Sequence, residues 1–414
     1  MKRLLAVSWE MPPLTGPRAT QVTRTLVALA ALGWRSRTVC FSPRSNRYQQ
    51  DDDVSIERLS AGAATLIPVR SPEESFFFRA LWRVAPPLKQ FPDEKRVWMP
   101  AALRAANAAL DAEPADVLVT FAQPWTDHLV GLELKKRRGI PWVAHFSDPW
   151  VDSPYFRAGS AARAKSARWE RDVIGNADRV VFVSSYTRDR MMAKYPDSWR
   201  DKCTVIPQGF DDRVPPVDAT PVAGRAVRIV YTGRFYDGIR SPEVLLRAAA
   251  SVNRTTPLAG RLEFVFVGGG TTQYERLAAD IGLTGLVSFT GRVPPQDALQ
   301  RAANADLLLL IDAASAEGPS LFLPSKLIDY LPMRRPILGL TPASGPSADL
   351  LNELGYPVID PADESAIAAH LSALIAAPQA HLVLSARHDD VAQRFRIDAL
   401  ARAFAGVLEE ALAR

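Results

Sequence analysis

The sequence predicts an α/β protein made of two Rossmann-like domains that face a cleft. Three observations predict it. The chain has 414 residues, and a single core rarely grows past about 250–300 residues. Short apolar runs alternate with longer helical stretches, the pattern of βα units on parallel sheets. Residues 212–225 show no periodicity and carry Pro215, Pro216 and Pro221, so they read as a linker between two halves. The predicted boundaries are a first domain over 1–211, the linker, a second domain over 226–395 and a terminal helix over 396–414. Ligands of such sheets bind at the carboxyl ends of the strands.

In the first half the pattern predicts strands at 3–8, 36–41, 117–121, 142–145, 179–184 and 204–206. A helix over 19–32 stops at Gly33, and another runs through 169–174. The opening run Met1-Lys2-Arg3-Leu4-Leu5-Ala6-Val7 is followed by polar Ser8 and Glu10 with no small-residue cleavage site, so it reads as a strand rather than a leader. The second half predicts strands at 227–231, 262–267, 287–289, 306–311 and 336–340, with helices between. Residues 397–412 form an amphipathic helix.

Composition narrows the function. The chain is 47% hydrophobic and 23% charged, as in a globular protein with a large core. Cys40 and Cys203 are the only cysteines, which makes no disulfide framework or zinc spacing and fits a reducing, cytoplasmic setting. The net charge of +5 lacks the concentrated Lys/Arg tract of a nucleic-acid binder. No apolar run approaches the roughly 18 residues that mark a membrane span.

Several loops carry residues suited to a phosphate ligand. Tyr231-Thr232-Gly233-Arg234 follows a strand and Arg240-Ser241-Pro242 precedes a helix. Gly233 permits a sharp turn, and Arg234 and Arg240 offer guanidinium groups that pair with phosphate oxygens; the alternative is two solvated arginines. Leu323-Pro324-Ser325-Lys326-Leu327-Ile328-Asp329 reads as a helix start whose free N–H groups attract phosphate. Lys326 adds a charge there and Asp329 lies one turn on, as a ribose acceptor or as half of a surface ion pair. Gly268-Gly269-Gly270 and Gly291-Arg292-Val293 also follow strands. No Gly-x-Gly-x-x-Gly fingerprint occurs, which argues against a dinucleotide dehydrogenase.

Taken in order, these segments resemble the glycosyltransferase family 4 pattern on the GT-B fold. In the first half Ser8-Trp9-Glu10-Met11-Pro12-Pro13 through Gly16 resembles the acceptor-side loop of that family. His145-Phe146-Ser147-Asp148-Pro149-Trp150, Val180-Val181-Phe182-Val183-Ser184 and Val205-Ile206-Pro207-Gln208-Gly209-Phe210-Asp211 resemble three further segments. The sequence departs where the family has paired acids separated by seven residues: Leu321 stands upstream of Asp329, and the nearest acid is Glu317. Arg240 replaces the usual Lys of the phosphate pair, Gln208 a common Asn, and Ser147 an Arg.

The resemblance implies a retaining, metal-independent transfer of a sugar from a nucleotide-diphosphate sugar to a glycan, glycolipid or lipid-linked acceptor, with no cofactor. It implies donor contacts at Gly233, Arg234, Arg240, Gly268, Gly269, Val293, Ser325, Lys326, Leu327 and Asp329. Trp9, Gly16 and Arg18 fall on the acceptor side, and Glu317 near the donor sugar. It also implies a terminal helix packing back toward the first domain. Asp51-Asp52-Asp53 contains a formal DxD but reads as an exposed loop. Asp148 and His128 follow first-half strands; each either serves the acceptor or stabilises its own loop. The aromatic and basic stretch 76–98 either contacts an anionic membrane, placing the protein on the inner face of the plasma membrane, or belongs to the core. A nucleotide-sugar epimerase and a non-catalytic nucleotide-sugar binder are the competing functions.

Overall fold

The computed structural model describes residues 1–43, 59, 62, 64–84, 92–156, 159–211, 224–236, 239–313 and 318–413. The chain divides into two compact units, Met1–Gly209 with Ile397–Arg414, and Phe210–Arg396. Most of the expected linker, together with Glu317 and Asp51–Asp53, lies outside the described residues.

Among the described residues the first unit has seven parallel strands: β1 (Lys2–Val7), β2 (Trp34–Phe41), β3 (Ala64–Val69), β4 (Val117–Ala122), β5 (Trp142–Phe146), β6 (Arg179–Phe182) and β7 (Cys203–Val205). Their order in the sheet is β3-β2-β1-β4-β5-β6-β7. A parallel sheet is covered on both faces, so its strands must be apolar on both. All six residues of β4 and all five of β5 are buried. Alternation sorts them by face. Leu4 and Ala6 join Val119 and Phe121 in one cluster with Phe404, Val407 and Leu408 of the helix Ile397–Leu412. Leu5 and Val7 join Leu118 and Trp142 in the opposite cluster. The C-terminal helix is thus part of the first unit, packed beside the helix Pro17–Ala31.

The second unit has six parallel strands among the described residues: β8 (Val227–Thr232), β9 (Leu262–Val267), β10 (Val287–Phe289), β11 (Leu307–Ile311), β12 (Ile337–Leu340) and β13 (Val358–Ile359). Their order is β10-β9-β8-β11-β12-β13. Ile229 and Tyr231 face a cluster that includes the helix Glu243–Thr255, while Val230 faces one that includes Leu327 and Ile328. Both sheets have the doubly wound order in which the chain reverses beside its first strand.

Two expectations are refined. The strand expected to reach Ser184 stops at Phe182, because the Ser184 hydroxyl accepts the Thr187 N–H and caps the helix Ser185–Met192. The stretch 76–98 is not one surface. Phe76 and Phe77 are 79% and 68% exposed, but Trp98 is fully buried and donates from Nε1 to the Val69 carbonyl at 3.2 Å. Lys95 lies over the Trp9 ring at 4.1 Å and pairs with buried Glu73 at 3.2 Å. No described helix is long and apolar enough to cross a membrane.

Candidate functional site

In the second unit the chain passes from β8 into its following helix through Gly233, whose φ is +122°. The Gly233 N–H donates to the Val267 carbonyl at 2.8 Å. Gly268, at φ +143°, donates to the Gly291 carbonyl at 3.0 Å. A Cβ on Gly268 would land on the Gly233 carbonyl, well inside the 3.0 Å that real Cβ atoms keep. The loops after β8, β9 and β10 are therefore drawn together at the carboxyl ends of their strands, where only glycine permits this approach.

The charged groups sit on this frame. Arg234 is exposed, its guanidinium 5.6 Å from the Tyr236 ring centroid. Tyr236 and Arg240 close a short hairpin by donating to each other's carbonyls, at 3.0 and 2.8 Å. Arg240 Nη2 donates to Asp312 Oδ1 at 3.2 Å. Asp312 is 2% exposed and follows β11. Its Oδ1 also accepts the Ala313 N–H at 3.0 Å, and its Oδ2 accepts the Ser347 hydroxyl at 2.9 Å.

Lys326 lies in the first turn of the six-residue helix Ser325–Tyr330. Four residues on, the Tyr330 hydroxyl accepts the Thr232 N–H at 2.9 Å and donates to the Leu309 carbonyl at 3.2 Å. That side chain ties the helix to the end of β8 and the middle of β11. Lys326 Nζ sits 3.7 Å from the Tyr231 ring centroid, and a Cβ on Gly233 would lie 2.7 Å from it. This Nζ atom is buried and has no hydrogen-bond partner among the described residues. Burial pulls its pKa well below the usual lysine value, Arg240 adds to the effect, and Asp312 opposes it.

The two family patterns matching this chain are described as "Glycosyl transferase 4-like domain", over residues 18–209, and "Glycosyl transferases group 1", over 226–377. Together they span most of both units. The chain belongs to the GT4-type glycosyltransferases.

It is 27% identical over 201 residues to D-inositol 3-phosphate glycosyltransferase 1 of Catenulispora acidiphila, covering 45% of this chain and 48% of the relative. The chain therefore spans about half the length of the curated relatives it matches. Sucrose-phosphate synthase from Thermosynechococcus elongatus superposes with a TM-score of 0.73 at 17% identity, over 100% of both chains. The Anabaena protein HepE, solved in complex with UDP, gives 0.67 at 16% identity, over 99% of this chain and 100% of that one. At such identities these two likenesses establish the GT-B fold.

Within this GT4-type chain the candidate donor residues distribute as follows. Gly233, Gly268 and Lys326 meet at one point, with Gly269 accepting the Phe235 N–H at 3.3 Å beside them. Ser325 begins the helix, and Asp329 is half-buried one turn beyond Lys326. The Leu327 side chain is fully buried, so a ligand can meet only its backbone. Val293 is half-buried against the core behind the β10 loop. Asp312 and Ser347 were missed by sequence reasoning. The only signal was an acid closing the apolar run of β11.

In the first unit Arg18 is 7% exposed, donates to the Ala122 carbonyl and has Nη2 3.2 Å from His145 Nδ1. Burial pushes its pKa down to about 10 against the pull of Asp148, Asp127 and Glu10. Asp148 Oδ2 lies 2.7 Å from the Ser147 hydroxyl, and burial raises its pKa. Trp9 stacks on Phe41 at 4.4 Å, and its N–H donates to buried Asp127 at 2.8 Å. Gly16 leaves the space that the Glu10 carboxylate fills. For His128 the packing favours the structural one of its two expected roles. It is fully buried, its Nδ1 2.7 Å from the Thr120 hydroxyl and its ring against Phe146 at 4.3 Å.

Proposed function

We propose that this protein is a retaining, metal-independent glycosyltransferase, with the second unit taking a nucleoside-diphosphate sugar and the first unit its hydroxyl acceptor. The observation that carries this reading is the convergence of Lys326, Arg240 and the Gly233 turn at the carboxyl ends of the central strands β8 and β11, with Lys326 Nζ buried and without a hydrogen-bond partner among the described residues. A charge on a buried amine without a partner is costly, and an entering diphosphate would supply the anion that a charged Lys326 lacks. Departure of the nucleoside diphosphate places charge on the β-phosphate, which preorganised cations stabilise. Same-face attack suits the site, the leaving phosphate taking the acceptor proton. In the first unit Arg18 and Asp148 are the groups placed to orient that acceptor. The D-inositol 3-phosphate transferase relative makes a phosphorylated cyclitol one member of the acceptor panel, beside glycans and lipid-linked sugars.

A thermal-shift screen against nucleoside diphosphates and their sugars tests the donor reading. At about 100 times Kd a ligand adds about 2.7 kcal/mol, and roughly 2–4 °C follows per kcal/mol in a unit of this size. The expected result is a rise of about 5–10 °C for one donor. A flat response across all bases would remove the proposal.

Exposed Phe76 and Phe77, followed on the same helix by exposed Arg83, support peripheral contact with an anionic membrane. Wild-type protein should float with anionic liposomes, and a Phe76→Ser, Phe77→Ser variant should stay in the soluble fraction. Equal recovery of both in either fraction would end the idea.

A further inference from the structure

Lys326 and Asp312 share the carboxyl end of the second sheet's central strands, yet the acid does not serve the lysine. Asp312 Oδ1 is taken by Arg240 and the Ala313 N–H, and its Oδ2 by Ser347. Lys326 Nζ is left with an aromatic face and no acceptor. The groups facing it are the Tyr231 ring from β8, the Arg240 charge from the hairpin and the Asp312 carboxylate from the end of β11, with Asp329 one turn along its own helix. The Tyr231 face favours an ammonium weakly. Enclosure without a hydrogen bond disfavours it more strongly, and the neighbouring Arg240 adds a like charge.

We infer that Lys326 stands in the free protein as an uncharged amine and takes up one proton when a nucleoside diphosphate enters the site. This rests on the donor reading above and adds to it a coupling between nucleotide binding and pH. The proton comes from a buffer acid. That acid's bond to hydrogen breaks as the Nζ lone pair forms a new N–H, and the conjugate base stays in solution. The bound phosphate oxygens then provide the anion that Asp312 does not. Burial had lowered the amine pKa, and the diphosphate raises it again, so binding carries net proton uptake. By linkage, nucleotide affinity falls as pH rises above the free-protein pKa, by up to about tenfold per pH unit.

The test is calorimetric titration of the whole protein with UDP, ADP and GDP in two buffers of different ionisation enthalpy, at about pH 8. There the terminal phosphate, with a second pKa of about 6, is already deprotonated. The slope of observed heat against buffer enthalpy counts protons. The expected result is uptake approaching about one proton per nucleotide for the wild type. A Lys326→Arg variant, whose cation cannot be discharged, should bind with no uptake. Lys326→Met should bind more weakly, again without uptake. Tight nucleotide binding by the wild type with no buffer dependence overturns this inference and leaves the donor reading standing. Uptake that persists in Lys326→Arg also overturns it, by assigning the proton elsewhere. Failure of all three nucleotides to bind removes the donor reading, and this inference with it.

Discussion

Replacing Arg234 by alanine should lower glycosyl transfer about 10²–10³-fold, the usual loss when one preorganised charge is removed from a transition state. Arg234 is the clean position for this experiment. It is exposed, and its described contact is with the ring of exposed Tyr236. Its loss should leave melting temperature and circular dichroism unchanged. Arg240 is less informative, because its removal would strand Asp312 at 2% exposure with one donor fewer, and a buried unpaired charge destabilises by itself. Steady-state kinetics with the donor identified by thermal shift would decide. If Arg234→Ala turns over as fast as the wild type, the leaving phosphate is not stabilised at this loop.

Gly268→Ala should damage both stability and nucleotide binding, and Gly269→Ala should damage neither stability nor fold. The contrast follows from two neighbouring glycines in unlike surroundings. At Gly268 φ is +143° and the new Cβ would strike the Gly233 carbonyl, a backbone atom that cannot rotate away. Strained backbone costs about 1–3 kcal/mol, and overpacking about 1–3 kcal/mol more. Together they predict a fall in melting temperature of roughly 4–24 °C. The displaced atom belongs to the turn beside Lys326, so nucleotide affinity should fall with it. At Gly269 a Cβ meets nothing within 4 Å. Equal melting temperatures for the two variants would show that the close approach of the β8 and β9 loops is dispensable.

Much of the fold was legible. β9 and β10 occupy the residues that their apolar runs indicated, and the terminal helix spans Ile397–Leu412 as its periodicity required. These are continuous, strongly patterned segments. β3 escaped notice because it carries Pro68 and pairs only at the sheet edge, where burial imposes little pattern. β13 is two residues long at the other sheet's edge. In the candidate site, Arg234, Arg240 and Lys326 stood out because glycine, proline and charge at strand ends are local signals. For His128 two roles stayed open, because its place after a strand said nothing of which way its ring turned. In the structure its ring packs against the core aromatics Trp125 and Phe146.

The sequence by itself determined that this chain forms two parallel α/β sheets and that its glycines and cations cluster at strand ends, because periodicity and turn chemistry act over a few residues. Only the tertiary structure decided that Asp312 takes Arg240 and not Lys326, a choice made across 72 positions of sequence. It also decided that Gly268 presses on Gly233. Parallel register and burial set which strand ends meet, and neither quantity is carried by any short segment alone.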